Sequence, residues 1–351
     1  MSEIKKRNHP GVFIRKSLES WSMTAKEFAF RTGISERTLS DLLNEKGSIT
    51  FDIASNLAAY FDNDVQFWMN LQTQYNIYIS QLQEEEAINE DYKLIKGMIS
   101  YLKTILTIED ADSHETIVKK VRSTIGVNRL TSLNQRNSFV SLKETHGSDI
   151  GNHYFEKNLW ISLSLKLSRD NKVEKFNKTK LYNSLDEIRN MTTQNPNVFY
   201  PRLKELLGDC GISFVLLPYL PKSNIYGATK WLNSDTVMLA MSNKGNRADV
   251  FWFTLFHELA HVTYEHKRYL LIHSEEIEDK EADSFAKNYL INENDWNNFV
   301  NSKIYTEKSI IDFAKKINIL PYIVLGRLHK ENIINYGVLD KTLAVNYKIN
   351  Y

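Results

Sequence analysis

The sequence predicts a mainly α protein in three parts: an N-terminal helix-turn-helix bundle over 1–76, a helical spacer over 77–199, and a C-terminal α+β domain with a small sheet over 200–351. Three observations predict it. Glycine and proline are scarce, 13 and 6 in 351 residues, which disfavours a turn-rich all-β chain. Capping residues and apolar spacing mark short helices around a glycine turn in the first quarter. Short β-type runs gather between residues 212 and 242, directly ahead of a strongly apolar helix. The length fits two or three domains, and 42% hydrophobic with 12% aromatic residues argues against wholesale disorder.

Charge and cysteine content narrow the function classes. Forty-four Lys and Arg stand against 43 Asp and Glu, so there is no bulk pull toward nucleic acid or membrane, and any such partner must be met locally. The single cysteine, Cys210, has no intrachain disulfide partner and reads as a buried structural thiol. Met1 to Pro10 carries Lys5, Lys6 and Arg7 with no apolar stretch behind them, unlike a signal peptide. The longest apolar run, Phe214 to Leu220, is far short of the ~20 residues that span a bilayer. A soluble, cytoplasmic protein is expected.

In the first part, Thr24 followed by Glu27 forms a capping box, and Ser35 is an N-cap for the next helix. Gly33 stands between them, where a left-handed backbone penalises any residue with a Cβ. Phe28, Ile34, Leu39 and Leu42 form the expected shared core, with small Ala29 at the crossing. A third helix starts at Thr50, with Ile53, Leu57, Ala58 and Phe61 along one face.

These residues resemble the repressor-type helix-turn-helix family and, within it, the HigA-like antitoxins. The likeness runs through His9-Pro10-Gly11, Thr24 to Arg31, Gly33 to Leu43 and Asn44 to Ile49, and closes on Phe67-Trp68-Met69-Asn70-Leu71-Gln72, covering nearly all of residues 8–76. The resemblance implies that the helix starting at Ser35 enters the major groove and presents Glu36, Arg37, Thr38, Ser40, Asn44 and Lys46 to operator DNA. Residues 1–75 hold nine Lys/Arg and nine Asp/Glu, so a single neutral module gains little affinity from counterion release. A homodimer on DNA is therefore expected, against a competing reading in which the module serves protein contact alone.

The middle of the chain carries no motif of chemistry. Glu84-Glu85-Glu86 reads as a solvated helix start, and Tyr92 to Ile108, Phe155 to Lys166 and Leu181 to Met191 have helical spacing. Gly147 to Asn152 and Asn190 to Pro196 read as loops.

The third part carries the strongest signal. Ile212 to Pro218, Tyr226 to Leu232 and Val237 to Met241 suggest a small sheet, and Asp249 opens a helix containing His257-Glu258-Leu259-Ala260-His261. Two His four apart stand one above the other on a helix and can give two imidazole nitrogens to one zinc ion (Zn2+). Glu258 projects beside them, placed to take a proton from a water whose pKa the metal has lowered. With nine His in the chain, chance predicts on the order of 0.02 such pentapeptides. The third ligand is sought in Glu275 to Asp283. A helical wheel puts Ala282, Asp283, Ala286 and Leu290 on the face of Asp279, which selects Asp279 as ligand and Asp283 as the acceptor steadying a ligand imidazole. Glu278 and Glu281 are the fallbacks. Tyr264 can donate to an oxyanion but reads more simply as a packing residue, and His266 and His273 read as surface residues.

This segment resembles the ImmA/IrrE family of zinc metallopeptidases over about residues 200–332. Tyr226-Gly227-Ala228, Trp231, Asp249 to Val262 and Asp279 to Ala286 carry the resemblance. It implies a zincin-like metallopeptidase fold with an acidic third ligand, and hydrolysis of a repressor or antitoxin-like protein. The expected function is a cytoplasmic transcriptional regulator of the antitoxin type with a zinc-dependent endopeptidase domain. In the alternative, the zinc domain senses or holds a partner such as a cognate toxin without proteolysis.

Overall fold

The computed structural model describes residues 6–135, 153–265, 270–274 and 279–348. Five segments discussed above lie outside these residues: Met1 to Lys5, the Gly147 to Asn152 loop, His266, Glu275 with Glu276, and Glu278. Contacts divide the chain into two units, Met1–Glu90 and Asp91–Tyr351.

The first unit contains α1 (Pro10–Ser20), α2 (Ala25–Thr32), α3 (Glu36–Leu43), α4 (Phe51–Phe61) and most of α5 (Val65–Ile95). Capping decides where these helices start: the hydroxyls of Thr24, Ser35 and Thr50 accept from the amides of Glu27, Thr38 and Ile53. Gly33 ends α2 at φ 70°, the left-handed turn that sets α3 across α2. His9 caps α1 through Nδ1, and its other ring nitrogen bonds Gly47 O at 2.7 Å. A Cβ on Gly11 would lie 1.8 Å from Leu42 O, so the His9-Pro10-Gly11 run lets α1 lie directly on α3. Phe28, Ile34, Leu39, Leu42 and Ala29 are all buried, joined by Ile14 and Trp68. Gln72 accepts from the amide of Ile49 at 2.8 Å, which ties the end of the Phe-Trp segment to the loop after α3. Glu84 to Glu86 lie inside α5 rather than at a helix start.

The second unit continues with α6 (Ile99–Lys103), α7 (His114–Ile125), α8 (Tyr154–Asp170), α9 (Lys178–Asn190), α10 (Pro196–Asp209), β1 (Ile212–Leu217), β2 (Ile225–Trp231), β3 (Val237–Ser242), α11 (Ala248–Thr263), β4 (Leu271–Ser274), α12 (Lys280–Leu290), α13 (Glu293–Asn301), α14 (Glu307–Lys316), α15 (Pro321–Lys330) and α16 (Asp340–Leu343). The sheet order is β1-β3-β2-β4, with β1 parallel to β3 and β2 antiparallel to both neighbours. Strands β1 and β3 are buried at every position, so both faces are covered and alternation is lost. Ile212, Phe214, Leu216, Val237, Leu239 and Met241 share one core with α10, α11 and α15. On the other face Ser213 donates to Ser168 O of α8 at 2.9 Å. Residues 154–199, placed by the sequence in a spacer, belong to the second unit: α8 covers one face of the sheet, and α9 joins the core on the other. No helix of the described residues is long and apolar enough to cross a membrane.

Candidate functional site

Helix α11 runs through the middle of the second unit, and 14 of its 16 residues are buried. Its N-terminus is anchored by a fork of Arg247 onto Asp249, Nε to Oδ1 at 3.0 Å and Nη2 to Oδ2 at 2.6 Å. Gly326 lets α15 approach this pair, since a Cβ there would meet Asp249 Oδ2 at 2.4 Å. Trp252 Nε1 donates to the Tyr347 hydroxyl at 2.7 Å from the far end of the chain.

The His257-Glu258-x-x-His261 run sits in this rigid segment with all three side chains buried. The Nδ1–H of His257 donates to Asp283 Oδ1 at 2.8 Å, which leaves Nε2 with its lone pair available. The His257 and His261 rings stand edge to face, centroids 5.0 Å apart at 84°. Glu258 is wholly inaccessible. Its Oε2 accepts from the Thr229 hydroxyl at 2.6 Å, and its buried Oε1 has no hydrogen-bond partner among the described residues. The carboxylate lies against β2 because position 227 is glycine: a Cβ there would come within 2.6 Å of Oε1. Burial pushes the Glu258 carboxyl up to about 7; the charge of Asp279 adds to the rise, while His257 and the Thr229 hydroxyl oppose it.

His273, expected at the surface, is a correction. It lies on edge strand β4, its ring stacked on His257 with centroids 4.0 Å apart and planes 14° apart. Among the described residues, ligand atoms of His257, Glu258 and His273 lie within 4.8 Å of one another. Burial, with His257 and His261 nearby, holds the His273 imidazole well below its usual range and so neutral. The motif pattern gives no sign of this residue, because β4 has only four residues and its place beside β2 is set by long-range pairing.

The acidic segment differs from the wheel drawn for it. Asp279 is not inside α12 but is its N-cap, with Oδ1 accepting from Ala282 N at 3.1 Å. Asp283, one turn on, reaches His257, and the buried Ala282 and Ala286 form the face that packs on α11. Glu281 is exposed in the first turn of α12. Tyr264, the residue after α11, is 40% exposed and lies edge-on to Phe285.

In the first unit, Glu36, Arg37, Ser40, Asn44 and Lys46 are exposed on or just after α3. Thr38 is half-buried, its hydroxyl paired with that of Ser35 at 2.7 Å, and Asn44 Nδ2 bonds Ser40 O at 2.9 Å. Arg31 is paired with Glu27 and Arg15 with Glu45. Arg37 and Lys46 make no ion pair among the described residues, nor do Lys6, Arg7, Lys16 and Lys26, so two of the unpaired cations lie on or just after α3.

The helix-turn-helix family matches residues 14–68, and the IrrE N-terminal-like domain matches residues 219–329. Virulence-associated protein I of Dichelobacter nodosus is 32% identical over 82 residues, 23% of this chain and 75% of that protein. The HTH-type transcriptional regulator YddM of Escherichia coli (strain K12) is 33% identical over 76 residues, 21% of this chain and 81% of that protein. Among solved structures, an addiction module antidote protein of a HigA family from Coxiella burnetii matches at 30% identity, covering 25% of this chain and 96% of that one with a TM-score of 0.23. The Pseudomonas aeruginosa antitoxin HigA, solved with the higBA promoter, matches at 30% identity, covering 24% and 95% with a TM-score of 0.23.

Proposed function

Since the chain belongs to the helix-turn-helix family through its N-terminal unit and carries an IrrE N-terminal-like domain in its C-terminal unit, we propose that it is a transcriptional regulator of the antitoxin type whose second unit is a zinc-dependent endopeptidase acting on a repressor or antitoxin-like protein. The observation that carries the reading is Glu258. A fully buried carboxylate with one oxygen unpartnered is costly, and it is kept where it can take up and release a proton.

The residues fit zinc. His257 offers Nε2 with its tautomer set by Asp283, and His261 stands on the next turn of the same helix. The proposed holding set is His257, His261 and Asp279, with His273 stacked beside His257. Bound there, zinc lowers the pKa of water and polarises the scissile carbonyl. Glu258 takes the proton of the attacking water on Oε1 and returns it to the leaving amine, while Thr229 holds Oε2 in place.

The first unit brings the enzyme to its place of action. Helix α3 and the turn after it carry Arg37, Ser40, Asn44 and Lys46 toward the base edges of operator DNA, and a homodimer supplies the second half-site. The test compares the zinc-loaded full chain with Glu258→Gln on the repressor or antitoxin-like protein encoded beside it, with products read by mass spectrometry. The variant is expected to keep its zinc and lose about 10²–10⁴-fold in rate. If the wild type cleaves nothing while operator binding and toxin neutralisation persist, the second unit holds a partner without hydrolysing it and the proposal fails.

A further inference from the structure

A cavity of about 690 Å³ opens beside the candidate metal centre, within the range of sites that take small ligands or peptide side chains. His273 and Asp283 form its inner wall, and both touch His257, one by stacking and the other by a hydrogen bond. Whatever fills the cavity thus lies one side chain away from the reacting centre.

Its charge is unbalanced in one sense. Asp249 and Asp283 are the acids that line it, and both are engaged, the first by the Arg247 fork and the second by His257. Arg327 is also engaged, with Nε on Glu331 at 2.8 Å and Nη1 on Ile291 O at 3.0 Å. Lys287 and Lys330 remain: both line the cavity, and neither ammonium has an ion-pair or hydrogen-bond partner among the described residues. Phe253, Leu290 and Ile323 supply apolar wall between them. Two uncompensated cations in a concave, partly apolar site beside a hydrolytic centre suit an anionic group carried on a flexible chain. A nucleic-acid duplex is too wide to enter.

We propose that this cavity is a specificity subsite for a carboxylate of the protein substrate, either an Asp or Glu side chain or a chain terminus within a few residues of the bond to be cut, with Lys287 and Lys330 as its counter-charges. The inference rests on the peptidase reading of the adjoining centre and narrows its substrate class.

The experiment uses the zinc-loaded full chain carrying Glu258→Gln, which permits binding without turnover, and fluorescence anisotropy with four labelled nine-residue peptides. One has two central Glu and an amidated end; two others replace the Glu pair by Gln or by Lys; the fourth is the Gln peptide with a free C-terminal carboxylate. At least one carboxylate peptide is expected to bind tenfold or more tighter than the amidated Gln and Lys peptides. A preference for the Glu peptide assigns the subsite to a side chain, and a preference for the free-acid Gln peptide assigns it to a terminus. Adding Lys287→Gln and Lys330→Gln together should remove the preference, with an unchanged circular dichroism spectrum showing that the fold is kept. Equal affinity for all four peptides, no binding of either carboxylate peptide up to 1 mM, or a preference that survives the double substitution overturns the subsite. Hydrolysis of the same peptides by wild-type protein separates the two levels: selective binding without cleavage keeps the subsite and defeats the peptidase, whereas cleavage indifferent to acidic residues does the reverse.

Discussion

Glu258 carries the proposed chemistry, and its protonation links the site to stability. Its folded pKa lies near 7 against an ordinary 4.5, because burial penalises the charged form. In the metal-free protein the folded state therefore binds more protons than the unfolded chain between these values. This contribution is fully present below pH 4.5 and is lost as pH rises through 7, on the order of 3 kcal/mol in all. Urea unfolding of the metal-free protein across pH 5 to 8 should show that slope, and Glu258→Gln should flatten it; an equal slope in both proteins would contradict the assignment. Thr229 acts one step removed, through its 2.6 Å hydrogen bond to Oε2. Thr229→Val should keep the zinc and lower kcat about tenfold with KM little changed, and Thr229→Ser should restore most of the rate. A Val variant with wild-type kcat would leave Thr229 a packing residue only.

At the scale of elements, α11 and α12 pack together to form the candidate metal centre. Ala282 and Ala286 are small and buried, which lets α12 lie close to α11 and brings Asp283 onto His257. Asp279 precedes the first turn and caps it, so in the proposed site capping and metal binding would compete for one carboxylate. Asp279→Asn separates them, since Asn caps as well as Asp but is a poorer zinc ligand. Zinc content after dialysis should fall sharply in Asp279→Asn with the melting temperature of the metal-free protein unchanged, whereas His273→Ala should retain its zinc. Loss of zinc in His273→Ala and not in Asp279→Asn would transfer the third ligand to β4. The spacing of His257, Glu258 and His261, and the wheel that put Asp283 and the two alanines on one face, were legible because helical period is a local property. Strand β4 was not legible, since a four-residue edge strand has no period to detect and takes its register from β2.

For the whole molecule, the near-zero net charge has a specific distribution. In the first unit Arg15 and Arg31 are tied to acids, whereas Arg37 and Lys46 are not, so a neutral module still offers cations where α3 would meet a phosphate or base edge. Operator binding in a gel-shift assay should weaken as salt rises, with a shallow slope that reflects few phosphate contacts, and Arg37→Ala should cost about 1–3 kcal/mol. Binding indifferent to salt and to Arg37 would leave the unit as a protein-contact element.

By itself the sequence determined the helix starts at Thr24, Ser35 and Thr50, the glycine turn at position 33, three of the four strands, and the pairing of two imidazoles with a carboxylate on one helix. Each is written in neighbouring residues, through a cap, a backbone preference or a period. Only the tertiary structure decided that His273 stacks on His257, that Gly227 and Thr229 cradle Glu258, that α8 covers the second face of the sheet, and that Lys287 and Lys330 share a cavity. These contacts join residues far apart in the chain, and they form because burying both faces of the sheet and both flanks of α11 lowers the free energy of the whole core. No local pattern encodes a sum taken over the entire second unit.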